Sequence, residues 1–286
     1  MNYHYYSKEK ARVLYKLTQN ELFSPLVEYL AENKEKRVIL RELKQQFPQK
    51  KFEHFLDQLI EHGLIIRHER AYELGFPVFG KAYQEEHAEE INRAAEILLE
   101  QLEAVSPMMQ QQLIAETIWA WRFTENEYFY GQTAGNTAEK YEAGNEKYRF
   151  ISDDQQDKVS LAVYFAHQRE QLPLPERFRK LEKLIGDVDE EYYFNQAEVI
   201  IEKVLAGKYK KRRPSIFHDS LIEAGVIEQK EEVYSLMYPL IQEQEVSIDF
   251  PELTGSSNHQ AFMKSQIYGC LLEQLPEGFC YIKEIV

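Results

Sequence analysis

The chain has 286 residues and a net charge of −14, with 44% hydrophobic and 13% aromatic residues. This hydrophobic content is enough for a folded core and excludes wholesale disorder. An acidic protein repels nucleic acid at long range, so any nucleic-acid contact needs a local basic patch. Residues 1–75 carry a net charge of +2, whereas residues 76–175 carry −9 and residues 176–286 carry −7. The N-terminal quarter is therefore where such a patch is expected.

No apolar stretch approaches the length needed to cross a bilayer, and the first residues do not open a signal peptide. The two cysteines, Cys270 and Cys280, have no cysteine or histidine at metal-ligand spacing. Two thiols in a chain of this size fit a reducing compartment better than a disulfide scaffold. We therefore expect a cytoplasmic protein without membrane association.

The N-terminal elements are short and well delimited. Ser24 and Pro25 favour the start of a helix, and further helices are predicted over residues 39–47 and 49–62. Gly63 is suited to the left-handed position that ends the third helix. Residues 64–67 and 71–74 then change to a pattern typical of two strands around a short turn.

The same pattern recurs 162 residues later. Shifting the chain by 162 residues aligns Phe55–Pro77 with Phe217–Pro239 without a gap, and 11 of the 23 pairs are identical. The identical pairs include Gly63 with Gly225, and Pro77 with Pro239. Identity is concentrated at core positions, at the helix-ending glycine and in the two strands. We interpret these two matched segments as parts of a duplicated module.

Three short helices followed by a hairpin resemble the winged-helix superfamily, and residues 20–77 carry this resemblance. The whole chain also resembles an uncharacterised family of bacterial proteins. The resemblance implies a mainly α fold with small β-hairpins (α+β), in which tandem winged-helix units are separated by a helical region. We predict a first copy at residues 1–78, a middle region at residues 79–175, and a second, diverged copy at residues 176–286 that ends in a C-terminal helix.

The middle region is predicted to be helical. Apolar spacing indicates helices over residues 83–103 and from Ser106 to about Tyr130. Residues 131–150 are polar and interrupted by glycines, which predicts a loop. A further helix is predicted from Ser152 to Gln171.

No motif for catalysis, phosphate binding or metal binding is present. His54, Asp57 and Glu61 share one face of the third helix, and His87 lies near Glu90, but solvated helix faces explain both groups. We therefore predict a non-enzymatic protein with no catalytic residues, no metal and no cofactor. An enzyme with a scattered site stays open as an alternative.

Aromatic residues cluster between residues 119 and 130, and on a helix they would form two apolar faces. A packed core or a dimer interface explains this cluster. An alternative is a surface for a protein partner or a small effector, built from Trp119, Trp121, Phe123 and Tyr128.

Basic residues lie near the start of the third helix of each copy and in the first hairpin. DNA-binding winged helices place this helix in the major groove, where basic residues contact phosphates. The candidate nucleic-acid contacts are Lys50, Lys51, His54, Arg67, Arg70, Lys211, Arg212 and Arg213. We prefer a nucleic-acid-linked regulator that acts through the first copy.

The same helices also carry acidic residues, among them Asp57 and Asp219, which phosphate would repel. The alternative is a module that binds a protein partner or a second copy of itself. Acidic tandem winged-helix proteins of this kind include the accessory subunits of chromosome-condensing complexes, which this chain resembles in being tandem and acidic.

Overall fold

The computed structural model of the protein describes residues 1–123, 126–133, 139–153, 158–242, 246–274 and 278–285. The described residues are mainly helical and form small sheets of two to four strands, so the chain has the mixed α+β fold predicted from its sequence. None of the helices in these ranges has the length and apolar composition needed to span a membrane.

The first half of the chain contains β1 (Asn2–Tyr6), α1 (Ala11–Thr18), α2 (Phe23–Glu32), α3 (Leu40–Gln46), α4 (Phe52–Glu61), β2 (Ile65–His68), β3 (Ala71–Leu74), β4 (Val78–Phe79), α5 (Lys81–Glu86), α6 (Ala88–Glu103), α7 (Pro107–Gln112), a π-helical turn (Leu113–Ile118), α8 (Trp119–Trp121) and β5 (Tyr128–Gln132). The second half contains β6 (Lys140–Gly144), β7 (Tyr148–Asp153), α9 (Leu161–Glu170), a 3-10 turn (Glu176–Phe178), α10 (Arg179–Ile185), α11 (Glu190–Leu205), α12 (Ile216–Glu223), β8 (Ile227–Lys230), β9 (Val233–Leu236), β10 (Leu240–Gln242), α13 (Ser257–Glu273) and β11 (Cys280–Glu284).

These elements form two compact units, and each unit takes three separate stretches of the chain. Unit 1 consists of Met1–Arg93, Trp121–Asn136 and Glu252–Ile267. Unit 2 consists of Ala94–Ala120, Thr137–Pro251 and Tyr268–Val286. The division into residues 1–78, 79–175 and 176–286 stays a prediction.

Unit 1 has a core of buried side chains from α1 to α4 and from the β2–β3 hairpin, including Phe23, Leu26 and Leu59. Its sheet has the order β1-β5-β4, with β1 antiparallel and β4 parallel to the central strand β5. Helix α13 packs on this sheet through Phe262, whose ring centroid lies 4.6 Å from that of Phe79. Aromatic side chains of β1, β4, β5 and α13 thus contact one another on this sheet.

Unit 2 has a larger core, in which α9 and α11 pack against a sheet of order β10-β11-β7-β6 and α12 packs against α10 and α11. The ring centroid of Phe165 lies 5.0 Å from those of both Tyr193 and Phe194, which are fully buried on α11. The Tyr193 hydroxyl forms a hydrogen bond of 2.6 Å with the Ser220 hydroxyl. A buried tyrosine with a partner keeps its packing contribution without leaving an unpaired polar group.

The structure confirms that the two matched segments fold alike. Helix α4 ends at Gly63 (φ 74°) and helix α12 ends at Gly225 (φ 66°). In the hairpins, Ile65 pairs with Leu74, and Ile227 pairs with Leu236, which is the same register shifted by 162 residues. Because helix end, turn and register all coincide, the sequence identity in these segments reflects one shared backbone.

The repeated element order extends beyond the predicted module. In the described residues, a strand, four α-helices, a hairpin and a further strand follow one another from β1 to β4 and again from β7 to β10. The next strand, β5, comes after five helical segments in the first half, whereas β11 comes after α13 alone in the second. In each sheet the last strand of the series, β5 or β11, pairs antiparallel with its first strand, β1 or β7, and parallel with the strand that follows the hairpin, β4 or β10. The duplication therefore includes the flanking sheets as well as the helices and hairpins.

The predicted loop at residues 131–150 is wrong. Gly131 and Gln132 belong to β5, residues 140–144 form β6, and residues 148–150 belong to β7, while residues 134–138 lie outside the described residues. The glycines do not break the strands, because Gly131 pairs with Tyr3 and Gly144 pairs with Arg149 across the sheets. Tyr3 is distant in sequence from Gly131, and a short turn joins the strands that contain Gly144 and Arg149. The local composition therefore did not reveal these pairings.

Two predicted helices are also too long. The helix after Ser106 ends at Trp121, and Tyr128 to Tyr130 lie in β5 instead, where they pair with β1. The helix predicted from Ser152 begins only after Ser160, whose hydroxyl accepts hydrogen bonds from the backbone of the first turn. Ser152 belongs to β7 and pairs with Cys280. In both places, long-range strand pairing overrides a helical pattern.

Candidate binding surfaces

The start of α4 presents the first group of predicted nucleic-acid contacts. Lys51 is the residue that precedes the helix, and Lys50 and His54 are exposed beside it. The helix is held in place by the buried side chains of Phe52, Phe55, Leu56 and Leu59 on its opposite face. The positive end of the helix dipole and two lysines therefore coincide at one exposed helix terminus.

The β2–β3 hairpin presents Arg67 and Arg70, which are both exposed. Arg70 (φ 66°) and Glu69 (φ 47°) occupy the turn with positive φ, a conformation that side chains other than glycine rarely adopt. The Arg37 guanidinium donates a hydrogen bond of 2.5 Å to the Glu69 carbonyl and so supports this turn. The Arg67 guanidinium lies 5.6 Å from the centroid of the Tyr72 ring.

The charges around α4 are unequally compensated. Glu53 forms an ion pair with Lys44, with 2.6 Å between Nζ and Oε1. Among the described residues, the side chains of Lys50, Lys51, Arg67 and Arg70 form no ion pair. Lys44 thus neutralises the charge of Glu53, whereas the four cationic side chains have no described acidic partner and are accessible to an external anion.

In the second copy two lysines of the corresponding region are ion-paired, whereas Arg212 and Arg213, the counterparts of Lys50 and Lys51, form no ion pair among the described residues. The Lys211 ammonium lies 2.5 Å from the Asp219 carboxylate, which also bonds the Nδ1 of His218 at 2.8 Å. Hydrogen bonds from Lys211 and then His218 hold the pKa of Asp219 below its usual value. Lys180 pairs with Glu223 on the same face. Arg212 and Arg213 are exposed next to Lys211.

The same face of the second copy contains a cleft of about 860 Å³ between α10, α12 and the β8–β9 hairpin. Its apolar lining includes Ile222, which is 37% exposed, and Met237, which is 51% exposed. The ion-paired residues Lys180, Lys211, Asp219 and Glu223 also line it. An apolar floor surrounded by internally paired charges suits an uncharged or apolar group better than a phosphate.

The predicted aromatic surface does not form as a single surface. Trp119 belongs to unit 2, where it packs on Tyr268 with ring centroids 5.4 Å apart. Trp121, Phe123 and Tyr128 belong to unit 1. The prediction assumed one continuous helix, but Tyr128 lies in β5 and is nearly buried there.

Two of these aromatic residues nevertheless line one cavity in unit 1. Phe123 and Tyr128, with His4 and Arg122, enclose about 240 Å³. Burial, with a smaller contribution from the charge of Arg122, lowers the pKa of His4 to about 4, so its imidazole is neutral at neutral pH. Its Nε2 is buried and has no hydrogen-bond partner among the described residues.

The sequence did not identify the cleft or the pairing of Lys211. One signal was present: position 56 is a buried leucine, whereas the equivalent position 218 is a histidine. A polar residue at a core position of a repeat indicates a local interaction that its counterpart lacks. Here that interaction is the hydrogen bond to Asp219, which in turn holds Lys211.

The family described as Domain of unknown function (DUF1803) matches residues 3–112 of this chain. The match confirms, for this range, the predicted resemblance to an uncharacterised family. It covers β1 to α7 and therefore includes α4 and the first hairpin. The comparisons with curated proteins and with solved structures return no match. The chain is thus similar, over about two fifths of its length, to a family whose function is unknown.

Proposed function

We propose that this protein is a non-enzymatic, nucleic-acid-linked regulator that acts through its first copy. The order of α2, α3, α4 and the β2–β3 hairpin resembles that of DNA-binding winged helices, in which the third helix enters the major groove and the hairpin reaches the backbone. Fold precedent alone does not establish a function, so the charges on α4 and on the first hairpin must support the proposal.

The observation that carries the proposal is the group of unpaired cations at the start of α4 and in the first hairpin. A helix N-terminus favours phosphate through its free N–H groups and its dipole, and Lys50 and Lys51 add full charges there. Arg67 and Arg70 are on the hairpin that follows the same helix. Contacts of this kind go to phosphates, so they supply affinity with little dependence on base sequence.

The electrostatic origin of this binding predicts a strong dependence on salt. Each phosphate contact contributes about −0.9 to the slope of log affinity against log salt concentration for duplex DNA. Four contacts from the first copy therefore predict a slope of roughly −3.6. Because the remainder of the protein is acidic, binding is expected to be weak at physiological salt unless these contacts are made.

The repeat supplies a matched control for the test. Lys50 and Lys51 correspond, at the shift of 162 residues, to Arg212 and Arg213. We expect Lys50→Glu/Lys51→Glu to remove most binding to mixed duplex DNA fragments, and Arg212→Glu/Arg213→Glu to keep most of it. Fluorescence anisotropy at two salt concentrations measures both, and thermal unfolding checks that the exposed substitutions leave the fold intact. Absence of binding by the unaltered protein at low salt would refute the proposal.

A second candidate function, binding of a protein partner, is supported by the cleft of the second copy. Ile222 and Met237 expose apolar surface next to charges that are already paired, which suits an apolar side chain of a partner. A photo-crosslinking group at position 237 of the full chain would identify such a partner. The crosslink is expected to disappear with Ile222→Glu and to persist with Met108→Glu, an exposed methionine outside the cleft. A crosslink that persists with Ile222→Glu would exclude the cleft as the binding site.

A further inference from the structure

Three side chains with metal-ligand chemistry meet in unit 1, although they are far apart in sequence. His87 lies between α5 and α6, Glu90 is in the first turn of α6, and His259 is in the first turn of α13. One potential ligand atom from each residue lies within 4.8 Å of the other two. Folding, and not a local motif, brings these residues together.

The spacing is close to that of a bound transition-metal ion. Ligand atoms at about 2.0–2.2 Å from a tetrahedral Zn²⁺ are roughly 3.3–3.5 Å from one another. The Nδ1 of His87 already lies 3.6 Å from a carboxylate oxygen of Glu90. The Glu90 side chain is 46% exposed and His87 is partly exposed, so rotation of these side chains can close the remaining distance without moving the backbone.

The surroundings of His259 orient its imidazole. The Tyr83 hydroxyl and the His259 Nδ1 form a hydrogen bond of 2.7 Å. When Nδ1 carries the proton, this bond leaves the lone pair of Nε2 for an ion, which is how metal-binding histidines are commonly held. Gly255 makes room for the ring, because a Cβ at this position would lie 2.8 Å from the His259 Cδ2.

The group combines two kinds of metal-binding side chain. The imidazole rings of His87 and His259 lie 4.9 Å apart between centroids, and the Glu90 carboxylate adjoins His87. Together the three side chains offer two nitrogen ligands and one oxygen ligand.

We propose that His87, Glu90 and His259 bind one divalent transition-metal ion of the zinc class. Two histidines and one glutamate form a three-ligand set that leaves the fourth position of a tetrahedral ion for water. The partial exposure of Glu90 keeps that position open to solvent. This site replaces the expectation of no metal, and it is independent of the proposed contact with nucleic acid.

The test uses the full chain after removal of metals with a chelator. Titration with Zn²⁺ against a chromophoric chelator is expected to give one ion per chain, and Co²⁺ is expected to give the visible absorption of a four-coordinate site. His259→Ala is expected to weaken binding by more than Tyr83→Phe, which removes only an orienting partner at a cost of about 10- to 100-fold. Glu90→Gln, a conservative change at a side chain that is 46% exposed, must also weaken binding.

His54→Ala is the matched control, because His54 is an exposed histidine near Asp57 and Glu61 on α4. The affinity of the His54→Ala variant for Zn²⁺ is expected to equal that of the unaltered protein. Retention of binding in both His259→Ala and Glu90→Gln would overturn the proposal, as would the absence of any stoichiometric ion in the unaltered protein. Loss of binding in His54→Ala alone would move the site to α4.

Discussion

The two copies share a backbone and differ in the surfaces that they expose. Gly63 and Gly225 end equivalent helices with φ values of 74° and 66°. On the exposed face, in contrast, His54 is replaced by Ile216, Arg67 by Gln229 and Arg70 by Glu232. The residues that determine the backbone have been kept, while these three exposed residues have diverged.

This difference shows why one fold does not imply one function within a single chain. In the first copy Glu53 is paired with Lys44, and the lysines before α4 keep their charges. In the second copy Asp219 takes up the charge of Lys211, and apolar side chains are exposed instead. Both helix starts thus carry an exposed basic pair, and they differ in the Lys211–Asp219 ion pair and in the apolar side chains exposed beside it.

The largest effect is expected from exchanging the core residues at equivalent positions. Leu56 is 2% exposed, so Leu56→His buries an imidazole in an apolar site and is expected to lower the free energy of unfolding by about 3 kcal/mol. His218→Leu removes a buried Nε2 without a hydrogen-bond partner among the described residues, but it also removes the bond to Asp219. Its net effect is expected to stay within about 1 kcal/mol.

Chemical denaturation at neutral pH, followed by circular dichroism, measures both substitutions. The expected asymmetry depends on the interactions of His218 with its neighbours, since the two backbones coincide. Equal changes in the free energy of unfolding would contradict this expectation. They would mean that the interactions of His218 with its neighbours do not distinguish the two core positions.

A smaller and symmetrical effect is expected at the helix ends. A Cβ at Gly63 or at Gly225 would meet no atom within 4 Å, so the cost of Gly→Ala is conformational only. We expect each substitution to lower the free energy of unfolding by about 1 kcal/mol, because both residues have positive φ. Thermal or chemical unfolding measures the pair, and a difference of more than about 1 kcal/mol between them would contradict the shared backbone conformation.

The smallest effect concerns pH. The pKa of Asp219 is lowered in the folded protein, so its carboxylate stabilises the fold above the ordinary aspartate pKa, and this contribution is lost as pH falls through the lowered value. Because the side chain is 37% exposed, the effect is expected to be well under 1 kcal/mol. Asp219→Asn should flatten the acid side of the stability profile slightly, with Asp57→Asn as the control at the equivalent position. An unchanged profile in Asp219→Asn would mean that the Lys211 pair contributes nothing in solution.

The sequence predicted the parts of the fold that depend on local pattern. Periodicity and the glycine at position 63 indicated α4 and the hairpin after it, and self-similarity extended this to α12 and its hairpin. The sheets were not predicted, because β5 pairs with β1 across more than a hundred residues and Gly131 resembles a loop residue. The residues next to each strand in sequence carry no signal of such a long-range pairing.

The candidate sites divide in the same way. Lys50, Lys51 and Arg70 were identified because their positions follow from the helix and hairpin that carry them. The proposed metal ligands His87, Glu90 and His259 were not grouped from the sequence, because His259 belongs to a helix that follows the second copy's hairpin in sequence. Only the folded chain brings that helix to the sheet of unit 1.

The three separate stretches of unit 1 bear on how the protein is made on the ribosome. Phe262 packs on Phe79 and Tyr130, and these contacts cannot form until the last part of the chain has been translated. About 130 residues separate the second stretch of unit 1 from the end of its third, which at ~5–20 residues per second is a delay of about 7 to 26 s. During this interval the aromatic face of the nascent sheet lacks its covering helix, so the emerging polypeptide is expected to depend on chaperones that bind exposed apolar segments.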